Sequence, residues 1–103
     1  MSNAIDFIIE NGVLTTYVGR EKEVTITDGV TAIGEEAFSW CSRLTNIVIP
    51  ESVTTIGEKA FSGCLSLTSI EIPDSVTEIG DGIFMGCRNL TNIVLPDGFE
   101  ILS

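Results

Sequence analysis

The chain has 103 residues, a hydrophobic fraction of 44% and a formal charge of -10 from 15 acidic and 5 basic residues. This length fits a single domain, and the acidic charge, spread along the chain, disfavours binding to nucleic-acid phosphates or to anionic lipid. No uncharged apolar run approaches the roughly 18 residues of a membrane span, so membrane insertion is not expected either.

The N-terminal residues divide into two parts. Residues 1–4 look like the remnant of an expression tag, and no signal peptide is visible in the sequence. Residues 5–20 contain two apolar segments on either side of Asn11-Gly12, a dipeptide typical of tight β-hairpins. We therefore predict that residues 5–20 form an N-terminal hairpin cap over the residues that follow them in the fold.

The rest of the chain repeats with a period of 23 residues. Residues 24–46 (VTITDGVTAIGEEAFSWCSRLTN), 47–69 (IVIPESVTTIGEKAFSGCLSLTS) and 70–92 (IEIPDSVTEIGDGIFMGCRNLTN) align without a gap, and residues 93–103 begin a partial fourth repeat. The apolar positions common to the three full repeats are Val30/Val53/Val76, Ile33/Ile56/Ile79, Phe38/Phe61/Phe84, Cys41/Cys64/Cys87 and Leu44/Leu67/Leu90. A fixed period of this length indicates a solenoid of stacked coils.

Each repeat contains two short alternating segments that predict two strands per coil. All three repeats also share a glycine, at Gly34, Gly57 and Gly80. The residues after it, 81–86 in the third repeat, suit a single helical or 3₁₀ turn. With five Phe, one Tyr and one Trp in the chain, small aliphatic side chains are expected to fill the interior. The predicted fold is a mainly β repeat solenoid with short helical or 3₁₀ turns, forming one domain.

The pattern IxIPxSVTxIGxxAFxGCxxLTx resembles the BspA-like leucine-rich repeats of bacterial surface proteins, and the resemblance covers residues 5–103. It implies a leucine-rich-repeat-like fold and a location outside the cell or on the bacterial surface. It also implies adhesion or protein binding by a curved scaffold that has no catalytic residues. The ligand is then expected to be a protein or a glycan.

The three cysteines at the repeat spacing would stack in a column with about 5 Å between successive coils. That distance allows a disulfide, but the position lies between inward Phe and Leu positions, which favours buried free thiols. The chain has no His and no CxxC spacing, which argues against a zinc site and against Ser/His or Cys/His catalysis. We expect no enzyme activity, no metal and no cofactor.

Outward residues of the stacked strands form the candidate binding surface. They are Thr45, Asn46, Val48, Thr68, Ser69, Glu71, Thr91, Asn92 and Val94. Trp40 stands where the other repeats have Gly63 and Gly86, so it is a candidate partner anchor, although packing over the cap or the neighbouring coil is favoured. Phe99, near the C-terminus, could likewise be a partner anchor or pack against the neighbouring coil.

Two other interpretations remain open. The chain could be a structural spacer, or the capped terminus of a longer array, with no ligand of its own. It could also self-associate through an open C-terminal coil, because no second lid is evident after the last repeat.

Overall fold

The computed structural model describes residues 6–96, so residues 1–5 and 97–103 lie outside this description. The strands of the described residues are β1 (Phe7–Glu10), β2 (Val13–Tyr17), β3 (Glu23–Thr25), β4 (Ala32–Ile33), β5 (Asn46–Val48), β6 (Thr55–Ile56), β7 (Ser69–Glu71), β8 (Glu78–Ile79) and β9 (Asn92–Val94). Phe99 and most of the predicted partial repeat fall outside the described residues.

The strands stack into a solenoid with two sides. On one side, five strands form a sheet in the order β1-β2-β4-β6-β8, in which all pairs after the initial antiparallel hairpin are parallel. On the other side, β3 pairs with β5 and β7 pairs with β9, both in parallel. Equivalent residues of successive repeats face one another, as Ile33, Ile56 and Ile79 do. The predicted mainly β solenoid is confirmed.

The hairpin of β1 and β2 packs against the first repeat at the N-terminal end of the described residues. Asn11 and Gly12 both have positive φ angles, 53° and 81°, as a two-residue hairpin turn requires. Leu14 of β2 pairs with Ile33, and the Tyr17 amide donates to the Ala37 carbonyl at 2.9 Å. The second strand of the hairpin therefore takes the place of a preceding coil, as expected of a cap.

Aliphatic columns occupy most of the core, but an aromatic column runs through it as well. Phe7, Tyr17, Phe38, Phe61 and Phe84 are in successive ring contact, with centroid distances of 5.6, 5.1, 5.3 and 6.3 Å along the series. The expectation of an interior filled by small aliphatic side chains was therefore too narrow. Because one Phe recurs per coil, a few rings are enough to form a continuous stack.

The segment after each shared glycine is a run of turns. Over residues 81–86, Gly82 and Gly86 have positive φ angles of 66° and 77°, so the single helical or 3₁₀ turn predicted there is not formed. In the first repeat, Glu36 and Trp40 have positive φ angles of 57° and 62°, which a right-handed helix cannot contain. Successive backbone amides of this segment donate alternately to the next coil and to their own coil. Phe38 donates to the Ala60 carbonyl of the next coil at 2.8 Å, whereas Ser39 donates to Glu36 within its own coil at 3.1 Å. Every second amide thus joins the coils together.

Recurring Ser and Thr side chains add hydrogen bonds between coils. Ser52 Oγ donates to the Val30 carbonyl and Ser75 Oγ to the Val53 carbonyl, each at 2.7 Å. Thr77 Oγ1 lies 3.3 Å from the Thr54 carbonyl oxygen in the same stack. The repeated SVT sequence therefore satisfies carbonyl groups of the coil before it.

The third repeat is less well covered than the first two within the described residues. Phe84 and Leu90 are half-buried where Phe61 and Leu67 are fully buried, and Ile93 is 38% exposed. This exposure is compatible with self-association, which stays a prediction. Among residues 6–96, no helix is long and apolar enough to cross a membrane.

Candidate functional site

Four short strands, β3, β5, β7 and β9, lie on the same side of the solenoid. In β3, β5 and β7 the central residue points into the core and its two neighbours point outward, because side chains alternate along a strand. We call this surface the strand face, and its outward residues are Glu23, Thr25, Asn46, Val48, Ser69, Glu71, Asn92 and Val94. The parallel register of the repeats places equivalent residues in rows across it.

Six of the predicted binding residues come together on the strand face. They are Asn46, Val48, Ser69, Glu71, Asn92 and Val94, all lining one groove. The three predicted threonines lie beside it, and the fold uses two of their hydroxyls. Thr45 Oγ1 donates to the Lys22 carbonyl at 3.0 Å and Thr91 Oγ1 to the Thr68 carbonyl at 3.4 Å. These two hydroxyls stabilise the stack of coils.

The strand face is split between β5 and β7. The Ile26 amide donates to the Val48 carbonyl at 3.1 Å, and the Ile72 amide donates to the Val94 carbonyl at 2.8 Å. Within residues 6–96 the equivalent amide of Ile49 has no such bond to β7, and the two strand pairs form separate ladders. The groove, about 450 Å³ in volume, extends across this split.

The groove combines carboxylates with exposed apolar side chains. Glu51 and Glu71 contribute the acidic groups, and no Lys or Arg is among the residues that line it. Val48 and Val94 are each 50% exposed. Such a surface complements an extended segment that carries both apolar and basic side chains.

Trp40 lies in the turn segment that follows Gly34 in the first repeat, and its side chain is exposed. Its φ angle of 62° is of the kind that usually requires glycine, and it is 72% exposed. A Cβ atom added to Gly63 would lie 2.5 Å from Cε3 of the indole, so the ring lies against that glycine in the next coil. Contact with the neighbouring coil, the interpretation that the sequence favoured, thus coexists with the exposure that a partner anchor needs.

A second concave site, which we call the corner niche, lies between residues 17–21 and residues 39–44. Its volume is about 390 Å³, and Trp40, Arg20 and Arg43 are among the residues that line it. Nothing in the repeat pattern predicts this niche, because it lies where the cap meets the first repeat.

The cysteine column consists of free thiols of unequal burial. Cys64 is fully buried, whereas Cys41 and Cys87 are partly exposed. Cys64 Sγ lies 3.2 Å from the Phe38 carbonyl oxygen and Cys87 Sγ lies 3.0 Å from that of Phe61, so each thiol donates to the preceding coil.

The thiols also differ in acidity. Burial raises the pKa of Cys41 to about 11. Once Cys87 ionises, the Cys64 thiol can donate to its thiolate, which lowers the pKa of Cys87 to about 7; the same interaction, together with burial, raises the pKa of Cys64. Within residues 6–96 no three His, Cys, Asp or Glu side chains are placed to hold a metal ion.

Sequence reasoning found the rows of the strand face but missed the split and the part played by Glu51. The repeats at β5 and β7 follow the same pattern as their neighbours, so no residue type signals the missing ladder. Glu51 is in a turn, although its place directly after Pro50 puts it beside the end of β5.

Comparison with known proteins gives a consistent result. The sequence model for "BspA type Leucine rich repeat region (6 copies)" matches residues 16–103. No curated protein matches this chain.

Solved bacterial structures share the fold. A leucine rich cell surface protein from Faecalibacterium prausnitzii is 38% identical with a TM-score of 0.72, over 80% of this chain and 22% of that one. A leucine-rich repeat protein from Eubacterium ventriosum is 30% identical with a TM-score of 0.79, over 92% and 28% of the two chains. A third, from Bacteroides capillosus, is 26% identical with a TM-score of 0.72, over 87% and 72%. The chain therefore spans about a quarter of the length of the first two proteins.

Proposed function

The chain belongs to the BspA-type leucine-rich repeat family, and from this premise we propose that it is a non-catalytic protein-binding module of a bacterial surface protein. Its role is adhesion, at the cell surface or outside the cell. The partner protein lies across the strand face, with an extended segment in the groove between β5 and β9.

The observation that carries this proposal is the groove itself. It is concave and lies on the surface where the coils place equivalent side chains in rows. Val48 and Val94 supply exposed apolar area, while Asn46, Ser69 and Asn92 supply hydrogen-bonding groups beside it. Apolar contacts surrounded by polar groups are the composition expected of a protein interface.

The same substitution, Glu→Lys, at two positions tests the proposal. Glu71 and Glu78 are both exposed and belong to the same repeat, but Glu71 lies on the strand face and Glu78 lies on the five-stranded sheet. A protein partner, identified from a panel of purified extracellular proteins, should bind Glu71→Lys at least tenfold more weakly than the unmodified chain. It should bind Glu78→Lys unchanged, because the two variants have the same net charge.

Equal affinity of both variants for such a partner would refute the strand face as the binding surface. The spacer interpretation makes a different prediction, since a chain with no ligand of its own should bind none of the panel proteins at micromolar concentrations.

A further inference from the structure

The corner niche exists because the cap follows a shorter path than a full coil. Tyr17 stacks on Phe38 at 5.1 Å, and the Lys22 carbonyl accepts a bond from the Thr45 amide at 2.7 Å, so both ends of this path are fixed against the first repeat. The connection from Tyr17 to Glu23 is two residues shorter than that from Phe38 to Asn46. It therefore leaves part of the first repeat uncovered.

The basic residues of the chain concentrate at this niche. Arg20 and Arg43 are 23 residues apart, one coil spacing, and both are exposed and line the niche. Lys22 lies beside both arginines, which places three of the five basic residues of the chain at one corner. Glu21 also lines the niche and Glu23 lies beside it, so three basic and two acidic residues leave this corner with a net charge of about +1, which favours an anionic ligand on a chain with a net charge of -10. Guanidinium groups bind carboxylates with paired hydrogen bonds.

Groups that can bind hydroxyls lie next to the arginines. The Ser62 carbonyl accepts the Trp40 amide at 2.8 Å, but within the described residues the equivalent carbonyl of Ser39 accepts no backbone bond. Ser42 is exposed, and Trp40 adds an aromatic surface at the rim. Two guanidinium groups, hydroxyl partners and an aromatic surface in one niche together match a sugar ring that carries a carboxylate.

We propose that the corner niche binds an acidic sugar residue, a pyranose with a carboxylate substituent. Arg20 and Arg43 hold the carboxylate, Ser42 and the Ser39 carbonyl bind ring hydroxyls, and Trp40 packs against the C–H groups of the ring. The niche volume of about 390 Å³ is within the range of about 300–1,000 Å³ typical of small-ligand sites. An acidic peptide fits less well, because among the residues that line the niche only Tyr17 belongs to a strand, the interior strand β2, and the edge strand β3 begins outside the niche at Glu23.

A matched pair of ligands tests this site. Methyl β-D-glucuronide and methyl β-D-glucoside differ only at C6, which is a carboxylate in the first and a hydroxymethyl group in the second. A short polyglutamate peptide represents the alternative ligand, an acidic peptide. Titrations followed by amide chemical shifts should show saturable binding of the glucuronide at millimolar concentrations, with shifts at residues 39–44. The glucoside and the peptide should bind at least tenfold more weakly.

Protein variants supply the control. Arg43→Ser introduces the residue that the second repeat has at this position, Ser66, and should raise the glucuronide Kd roughly tenfold or more. Arg88→Ser removes the same charge from the third repeat and should leave the Kd unchanged. Tighter binding of the peptide, equal binding of the glucoside, equal effects of the two Arg variants or no saturable binding would each overturn the proposal. This site does not include the groove, so such a result would leave the proposed function of the strand face intact.

Discussion

Alanine substitution at the shared glycine should reveal how closely the coils approach one another. An added Cβ atom at Gly80 would lie 2.4 Å from the Glu58 nitrogen, and one at Gly57 would lie 2.8 Å from the Glu35 nitrogen. At Gly34 the nearest atom would be the Leu14 carbonyl oxygen, at 3.2 Å. Because the atoms in the way at Gly57 and Gly80 belong to the backbone, no side-chain rotation can relieve the contact.

Two opposing effects set the magnitude. Overpacking costs about 1–3 kcal/mol, whereas replacing Gly by Ala stabilises by about 0.4–1 kcal/mol because it restricts the unfolded chain. Gly57→Ala and Gly80→Ala should therefore lose about 1–2 kcal/mol, which lowers the Tm by about 5–15 °C in a domain of this size. Gly34→Ala should remain within about 1 kcal/mol of the unmodified protein, because its mild contact roughly offsets the gain.

Thermal and urea unfolding followed by circular dichroism would measure all three variants under the same conditions. The close approach of the coils at this position would be refuted if the three substitutions changed the free energy of unfolding equally.

Three further predictions follow from the aromatic and cysteine columns. Burial raises the pKa of Tyr17 above its ordinary value of 10.0. The contribution of the neutral Tyr17 phenol to the free energy of unfolding should therefore be complete below pH 10, and it should be lost as the pH rises through the pKa of the folded chain. Tyr17 is the only Tyr, and absorbance at 295 nm should give a higher midpoint in the folded chain than in denaturant; identical midpoints would contradict its burial. Cys87 should be alkylated before Cys64 near neutral pH, as peptide mass spectrometry can show, and equal rates would refute the difference in exposure and acidity. Phe61→Ala should lose about 3–5 kcal/mol and Phe84→Ala less, because Phe61 is fully buried; urea titration giving equal losses would argue against the partial exposure of Phe84.

The repeat period predicted most of the fold because each apolar column is set by residue identity at fixed spacing. Ile33, Ile56 and Ile79 align as the sequence requires, and Asn11-Gly12 specifies the hairpin turn. These features depend on local chemistry and a constant register, and both are visible in the sequence.

The turn conformation could not be predicted in the same way. Glu36 and Trp40 adopt positive φ angles although neither residue type prefers them, because alternate amides of this segment bond to the next coil. Local propensity favours a helical turn there, and packing between coils overrides it.

The candidate sites were only partly predictable for a related reason. Alternation identified Val48 and Glu71 as outward residues, but the sequence pattern is the same on both sides of the split between β5 and β7 and so does not predict it. The corner niche depends on the length of the path from Tyr17 to Glu23, which matters only when both ends are fixed in space.

The central claim is that a partner protein occupies the strand face, and the most direct test is to map its footprint on the ¹⁵N-labelled chain by NMR. The account predicts that amide signals of β5, β7 and β9, together with Glu51, shift or broaden on binding, while those of β4, β6 and β8 do not. A footprint confined to β4, β6 and β8 would contradict it.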